Sequence, residues 1–110
     1  MNSGTAMDAA RPNIRTISIT LDAAGKPFLA QEDRDVTISS VDNEQVVWEY
    51  PHEFLIDFKG NSPFYEEQFS DAFKQSGLVR RNVMSSKFVF YDYTIIINGQ
   101  SLDPRIRVDP

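Results

Sequence analysis

The chain has 110 residues, enough for one domain around one core, and its 41% hydrophobic and 12% aromatic content can fill that core. It has no cysteine and a single histidine, His52, which excludes a disulfide framework, a thiol nucleophile, a zinc–thiolate site, an iron–sulfur cluster and a two-His, one-Cys copper site. The formal charge of −5 sets most of the surface against nucleic acid and anionic membrane.

Residues 1–12 are small and polar and read as a flexible leader ahead of a single domain at 13–110. They lack the basic start and apolar run of a secretory signal, so the expected compartment is the cytoplasm. No stretch approaches the ~20 apolar residues of a membrane-spanning helix. From Thr16 onward Ile17, Ile19 and Leu21 alternate with Thr16, Ser18 and Thr20, which predicts a half-buried strand. Asp22 to Pro27 is turn material. Asp35–Val41 then places Val36 and Ile38 inward, and Asp42-Asn43 turns the chain. Gln45–Tyr50 and Glu53–Phe58 follow as strands, separated at Pro51. Short strands at a spacing of ~8–12 residues predict a sandwich or small barrel.

Residues 62–77 carry a different signal. Ser62-Pro63 resembles an N-cap and first-turn proline, and Glu66 and Glu67 suit a helix N-terminus. Tyr65, Phe69 and Phe73 recur at i, i+4 and i+8, and Gly77 suits a C-terminal cap. This predicts a short helical insertion on the sandwich, with a long loop holding one helical turn as the alternative. Leu78–Met84 reads as a short strand. The long β-branched and aromatic run Phe88–Ile97 then meets the hairpin signal Asn98-Gly99, and Gln100–Pro110 closes the chain.

Charge is unevenly spread. Residues 28–73 hold eleven acidic side chains against Arg34 and Lys59, whereas residues 74–110 hold six basic against three acidic. The asymmetry suits self-association, although strands folding the halves together would mix the charges. Arg80-Arg81, with Lys87 nearby, is the candidate partner-binding patch, too sparse for nucleic-acid recognition. Asp57, Glu66, Glu67 and Asp71 form the densest carboxylate group, but they lack the spacing and embedded glycine of a calcium loop. His52 has only Glu53 as an adjacent acid, and the five glycines form no phosphate-binding motif.

Trp48 is the natural core anchor. Val36 or Ile38 before it and Ile95 after it suit the two inward positions that flank the tryptophan of an immunoglobulin-type sandwich. Tyr93, two residues before Ile95, suits the tyrosine-corner position. The competing reading makes Trp48, Tyr50 and Tyr91 an exposed aromatic platform for a small ligand or carbohydrate.

The closing segment carries a family resemblance. Tyr93-Thr-Ile-Ile-Ile-Asn-Gly99 followed by Leu102-Asp-Pro-Arg-Ile-Arg-Val-Asp-Pro110 resembles small bacterial domains of unknown function that end in an extended hairpin. The Asp103-Pro104 and Asp109-Pro110 pairs resemble the signature of the DP-EP family, with Asp109 where that name implies Glu. Val47-Trp48, Phe54-Leu-Ile-Asp-Phe58 and Ser62-Pro63-Phe64 are similar to copper-free cupredoxin-like domains. The resemblance implies an immunoglobulin-like or cupredoxin-like sandwich and brings no catalytic or copper-binding residues with it. Each proline also removes a ladder donor and extends the residue before it. Arg105–Asp109 is therefore expected as an edge or terminal strand with a charged outer face.

These readings converge on an all-β, antiparallel sandwich of about seven strands in Greek-key order. The functional expectation is a non-enzymatic protein-interaction module without cofactor or metal, self-associating or docking on a partner through Arg80 and Arg81. The ligand-binding platform of Trp48, Tyr50 and Tyr91 is the alternative.

Overall fold

Alternation of apolar and polar residues is realised as ten short strands and one helical turn in the computed structural model, which describes residues 13–80 and 87–110. The strands are β1 Ile14–Leu21, β2 Pro27–Leu29, β3 Asp35–Ser39, β4 Gln45–Glu49, β5 Leu55–Asp57, β6 Gln68–Ser70, β7 Val89–Asp92, β8 Thr94–Ile97, β9 Gln100–Leu102 and β10 Arg105–Asp109. The single turn α1, Gln31–Arg34, precedes β3. Three sheets form, in the orders β2-β1-β4, β3-β10-β7 and β6-β5-β8-β9. Their inward side chains merge into one apolar core, as an all-β sandwich requires.

Two pairings depart from the antiparallel expectation. β1 runs parallel to β4, with Ile17 beside Trp48, and β3 runs parallel to β10, with Ile38 beside Val108. The latter places β10 between β3 and β7. The closing strand is therefore central to its sheet, not an edge. Pro104 and Pro110 flank it and cost it no internal ladder donor.

The strand count exceeds seven because β2 and β6 form outside the expected strands and because the two closing runs are broken where they change sheet. β7–β8 and β9–β10 are the two arms of one hairpin. Asn98 and Gly99 both have positive φ, 51° and 77°, which closes the two-residue turn that the Asn-Gly pair predicts. The register does not slip across the break: Ile95 faces Leu102 and Ile106 faces Tyr91. At the break Tyr93 N–H donates to the Pro104 carbonyl at 3.0 Å. One residue on, Thr94 Oγ1 donates to Asp103 Oδ1 at 2.7 Å.

The helix expected over 62–77 does not form. Phe64 and Phe69 are buried, five residues apart, while Tyr65 and Phe73 are exposed. The backbone serves neighbouring strands instead. β6 pairs with β5, Ser70 and Phe73 exchange two backbone hydrogen bonds, and Trp48 N–H donates to the Lys74 carbonyl at 3.0 Å. Ser62 Oγ accepts from Phe64 N–H at 3.0 Å, a local turn in place of a helix cap. In the expected strand Leu78–Met84, Val79 bridges to Phe64, and residues 81–84 lie outside the described residues, as does the leader 1–12.

Candidate interaction face

The aromatic centre of the molecule is interior. Trp48 has no exposed surface, and its ring packs on Phe69 at 5.0 Å, Tyr93 at 5.7 Å and Phe58 at 6.2 Å between centroids. Its Nε1–H donates to Tyr93 Oη at 3.3 Å. Tyr93 thus spends its hydroxyl on the tryptophan rather than on backbone as in a tyrosine corner. Burial pushes the Tyr93 phenol well above its ordinary pKa, against the smaller opposing effect of the Trp48 hydrogen bond. Val36, Ile38 and Ile95 are buried in the same core.

This arrangement overturns the exposed platform. Trp48 is fully enclosed and Tyr91 is only 6% exposed on the inner side of β7. Tyr50 is half-buried and packs edge-on against His52 and Phe54, at 5.7 and 6.3 Å. No shared outer face presents the three rings.

The other sequence candidates are scattered. Arg80 is half-buried and donates through Nε and Nη2 to the Ser62 carbonyl, at 3.1 and 2.7 Å, which ties it to the turn before Phe64. Arg81 lies outside the described residues. Asp57 accepts from Lys59 N–H at 2.8 Å and Asp71 from Phe54 N–H at 3.3 Å, while Glu66 and Glu67 point to solvent. Among the described residues no three His, Asp or Glu side chains converge as a metal site would need. A recess of about 270 Å³ is lined by Lys59, Asp92, Tyr93, Thr94 and Asp103, and its Asp103 is already engaged by Thr94.

What the fold does assemble is an aromatic and cationic ladder on the outside of β7 and β10. Alternation sends Ile106 and Val108 inward from β10 and leaves Arg105 and Arg107 outward. On the adjacent arm Tyr91 turns inward, and Phe88 and Phe90 remain 48% and 37% exposed. The Arg105 guanidinium lies 3.9 Å from the Phe90 ring centroid, and that of Arg107 lies 3.9 Å from Phe88. The two rings meet edge to face at 5.5 Å. Acids close the ladder: Arg105 pairs with Asp35 on β3 at 3.0 Å, and Arg107 with Asp109 at 2.7 Å. Stacking of this kind contributes about 0.5–1 kcal/mol at an exposed site. The signal was present in the sequence, because counting back from Asn98-Gly99 sets Arg107 opposite Phe90.

No family model, curated protein or solved structure matches the chain. Among the described residues no helix is long and apolar enough to cross a membrane.

Proposed function

We propose that the protein is a non-enzymatic interaction module and that its contact surface is the ladder of Phe88, Phe90, Arg105 and Arg107. The observation that carries this reading is the exposed phenylalanine pair at an outer strand, Phe90 within β7 and Phe88 just before it, each ring held by a guanidinium. Single exposed apolar residues are ordinary on a protein surface, but contiguous aromatic and arginine side chains are what interfaces concentrate. The same proposal extends to the family level, as a DP-EP-like or copper-free cupredoxin-like domain with an immunoglobulin-type core. Trp48 in one core with Tyr93, Ile38 and Ile95 supports it. A carbohydrate platform on Trp48, Tyr50 and Tyr91 has no support, since two of its rings are interior.

The test is photo-crosslinking in cells from a benzoylphenylalanine placed at position 88, with position 65 as an exposed control. Discrete protein adducts from position 88, absent from position 65 and lost on Phe90→Lys, are expected. Adducts that are the same at both positions would refute the assignment.

A further inference from the structure

The ladder strand β7 is the outermost strand of its sheet: among the described residues the order is β3-β10-β7, and no strand is bonded to its far side. Which backbone groups face that side follows from the hairpin. Tyr93 N–H is spent on the Pro104 carbonyl. In an antiparallel ladder hydrogen-bonded pairs recur at every second residue. Tyr91 and Val89, in the same unslipped register, therefore turn their backbone groups toward Ile106 and Val108 of β10. The N–H and carbonyl groups of Phe90 then point to the outer side, and the same alternation carried one residue before β7 turns those of Phe88 the same way, a template for strand addition.

The residues themselves say what fits there. Phe88-Val89-Phe90 reads the same in both directions. Two copies of one strand, paired antiparallel about a two-fold axis normal to the sheet, keep each side chain on its own face. Opposed residues must then share parity. Centring the axis on Val89 satisfies this. Phe88 and Phe90 of one copy meet Phe90 and Phe88 of the other in hydrogen-bonded pairs, and Val89 meets Val89 in the intervening non-hydrogen-bonded pair. Charge agrees. Arg105 and Arg107 are already matched by Asp35 and Asp109, and exposed Asp92 of β7 adds a further carboxylate to the face, so it does not call for an acidic partner. A second copy, whose arginines are matched in the same way, meets that need.

Building on the contact surface proposed above, we infer that the partner is a second copy of this chain, joined through β7 to β7 about Val89. The product is one continuous six-stranded sheet with four phenylalanines clustered on its outer face and an arginine stacked on each. Dimers closed by a two-fold axis bury the same patch on both subunits, which a palindromic strand supplies directly.

The test uses the full chain, which contains no cysteine. Val89→Cys introduces one thiol per molecule at a cross-strand position where Cα atoms lie about 4.5 Å apart, inside the range a disulfide can bridge. With a mild thiol oxidant such as diamide it is expected to form a disulfide-linked dimer. Val41→Cys, exposed in the β3–β4 turn, serves as the control and is expected to stay largely unlinked. Sedimentation velocity should show a concentration-dependent dimer, weakened about tenfold or more by Phe90→Lys. Phe88→Lys gives the same reading if Phe90→Lys does not fold, as judged by Trp48 fluorescence. A monomer at every concentration, or a dimer indifferent to these substitutions with equal oxidation at 89 and 41, overturns the inference. In that case adducts from position 88 to a different protein would leave the interaction-module reading standing, and their absence would remove both.

Discussion

Tyr93→Phe tests the centre of the core with the loss of a single atom. The Trp48 indole N–H is a donor only, and the Tyr93 hydroxyl is its partner at 3.3 Å. Both side chains are interior, with 0% and 1% exposure. Removing the hydroxyl strands a buried N–H, which costs about 1–3 kcal/mol. The distance is slightly longer than the usual range for such bonds, so the lower half, about 1–2 kcal/mol, is expected. With a urea m-value of about 1–2 kcal/mol/M, the midpoint should fall by about 1 M. Trp48 is the only tryptophan, so its fluorescence reports unfolding directly. The same substitution has a pH signature. Burial raises the folded-state pKa of Tyr93 above its ordinary value near 10. Below about pH 10 the phenol is protonated in both states and its contribution is intact. Above that, the unfolded chain releases the proton first, binds fewer protons than the folded chain, and stability falls as pH rises. Wild type should therefore lose stability above about pH 10 more steeply than Tyr93→Phe does. A midpoint at pH 7 that does not move, with parallel alkaline profiles, would refute this account of the core.

The other core and hairpin expectations are simpler to state. Phe58→Ala removes a ring that packs against Trp48, Phe64, Phe69 and Tyr93, and should cost about 3–5 kcal/mol, leaving little cooperative thermal unfolding by circular dichroism. A sharp transition at the wild-type temperature would contradict it. Gly99→Ala introduces a Cβ that meets nothing within 4 Å, so its penalty is the positive φ of 77° alone. A loss of about 1 kcal/mol, lowering Tm by about 4 °C, is expected, whereas an unchanged Tm would mean the turn is not left-handed. Thr94→Val removes the hydroxyl held by the Asp103 carboxylate at 2.7 Å and should cost about 1–2 kcal/mol in urea unfolding. Equal stability would show that the contact does not help fix the hairpin where it changes sheet.

Sequence reading succeeded where the signal is local. The two-residue period placed Ile17, Ile19, Val36 and Ile38 inside, while Leu21, expected on the face of Ile17 and Ile19, is 40% exposed at the strand end, and Asn98-Gly99 marked its turn. It failed where distant segments decide. Tyr65, Phe69 and Phe73 have helical spacing, yet only Phe69 is buried, because β5 and β4 each need a hydrogen-bonding partner along an otherwise open edge. Nothing within residues 62–77 encodes that demand. The parallel pairing of β10 with β3 is equally non-local, which is why Arg105–Asp109 resembled an edge strand and proved central. At the candidate site, the rings of Trp48 and Tyr91 are taken up by the core, which their identity alone does not tell apart from the exposed rings of Tyr65 and Phe88.

The ladder is hidden in the sequence for a related reason. Read linearly, Phe88–Ile97 is one β-branched and aromatic run interrupted at Asp92, and its first three residues look like core. Read as an arm of a hairpin, it changes character where the ribbon leaves the β5 sheet for the β3 sheet. Ile95 and Ile97 are covered by the interior, while Phe88 and Phe90 face outward toward the arginines of the opposite arm. The ion pairs then decide what those arginines do. A guanidinium with its carboxylate already supplied by Asp35 or Asp109 gains little from an anionic partner, and surface ion pairs of this kind add at most about 1 kcal/mol to stability. Their effect is to hold two phenylalanine rings in fixed positions at the surface. Side chains ordered before contact lose less entropy on association, a saving of about 0.5–1.5 kcal/mol for each otherwise mobile side chain. Replacing both arginines with lysine keeps the charge but gives up the planar stack, so it should weaken association through the same face while leaving the salt dependence nearly unchanged.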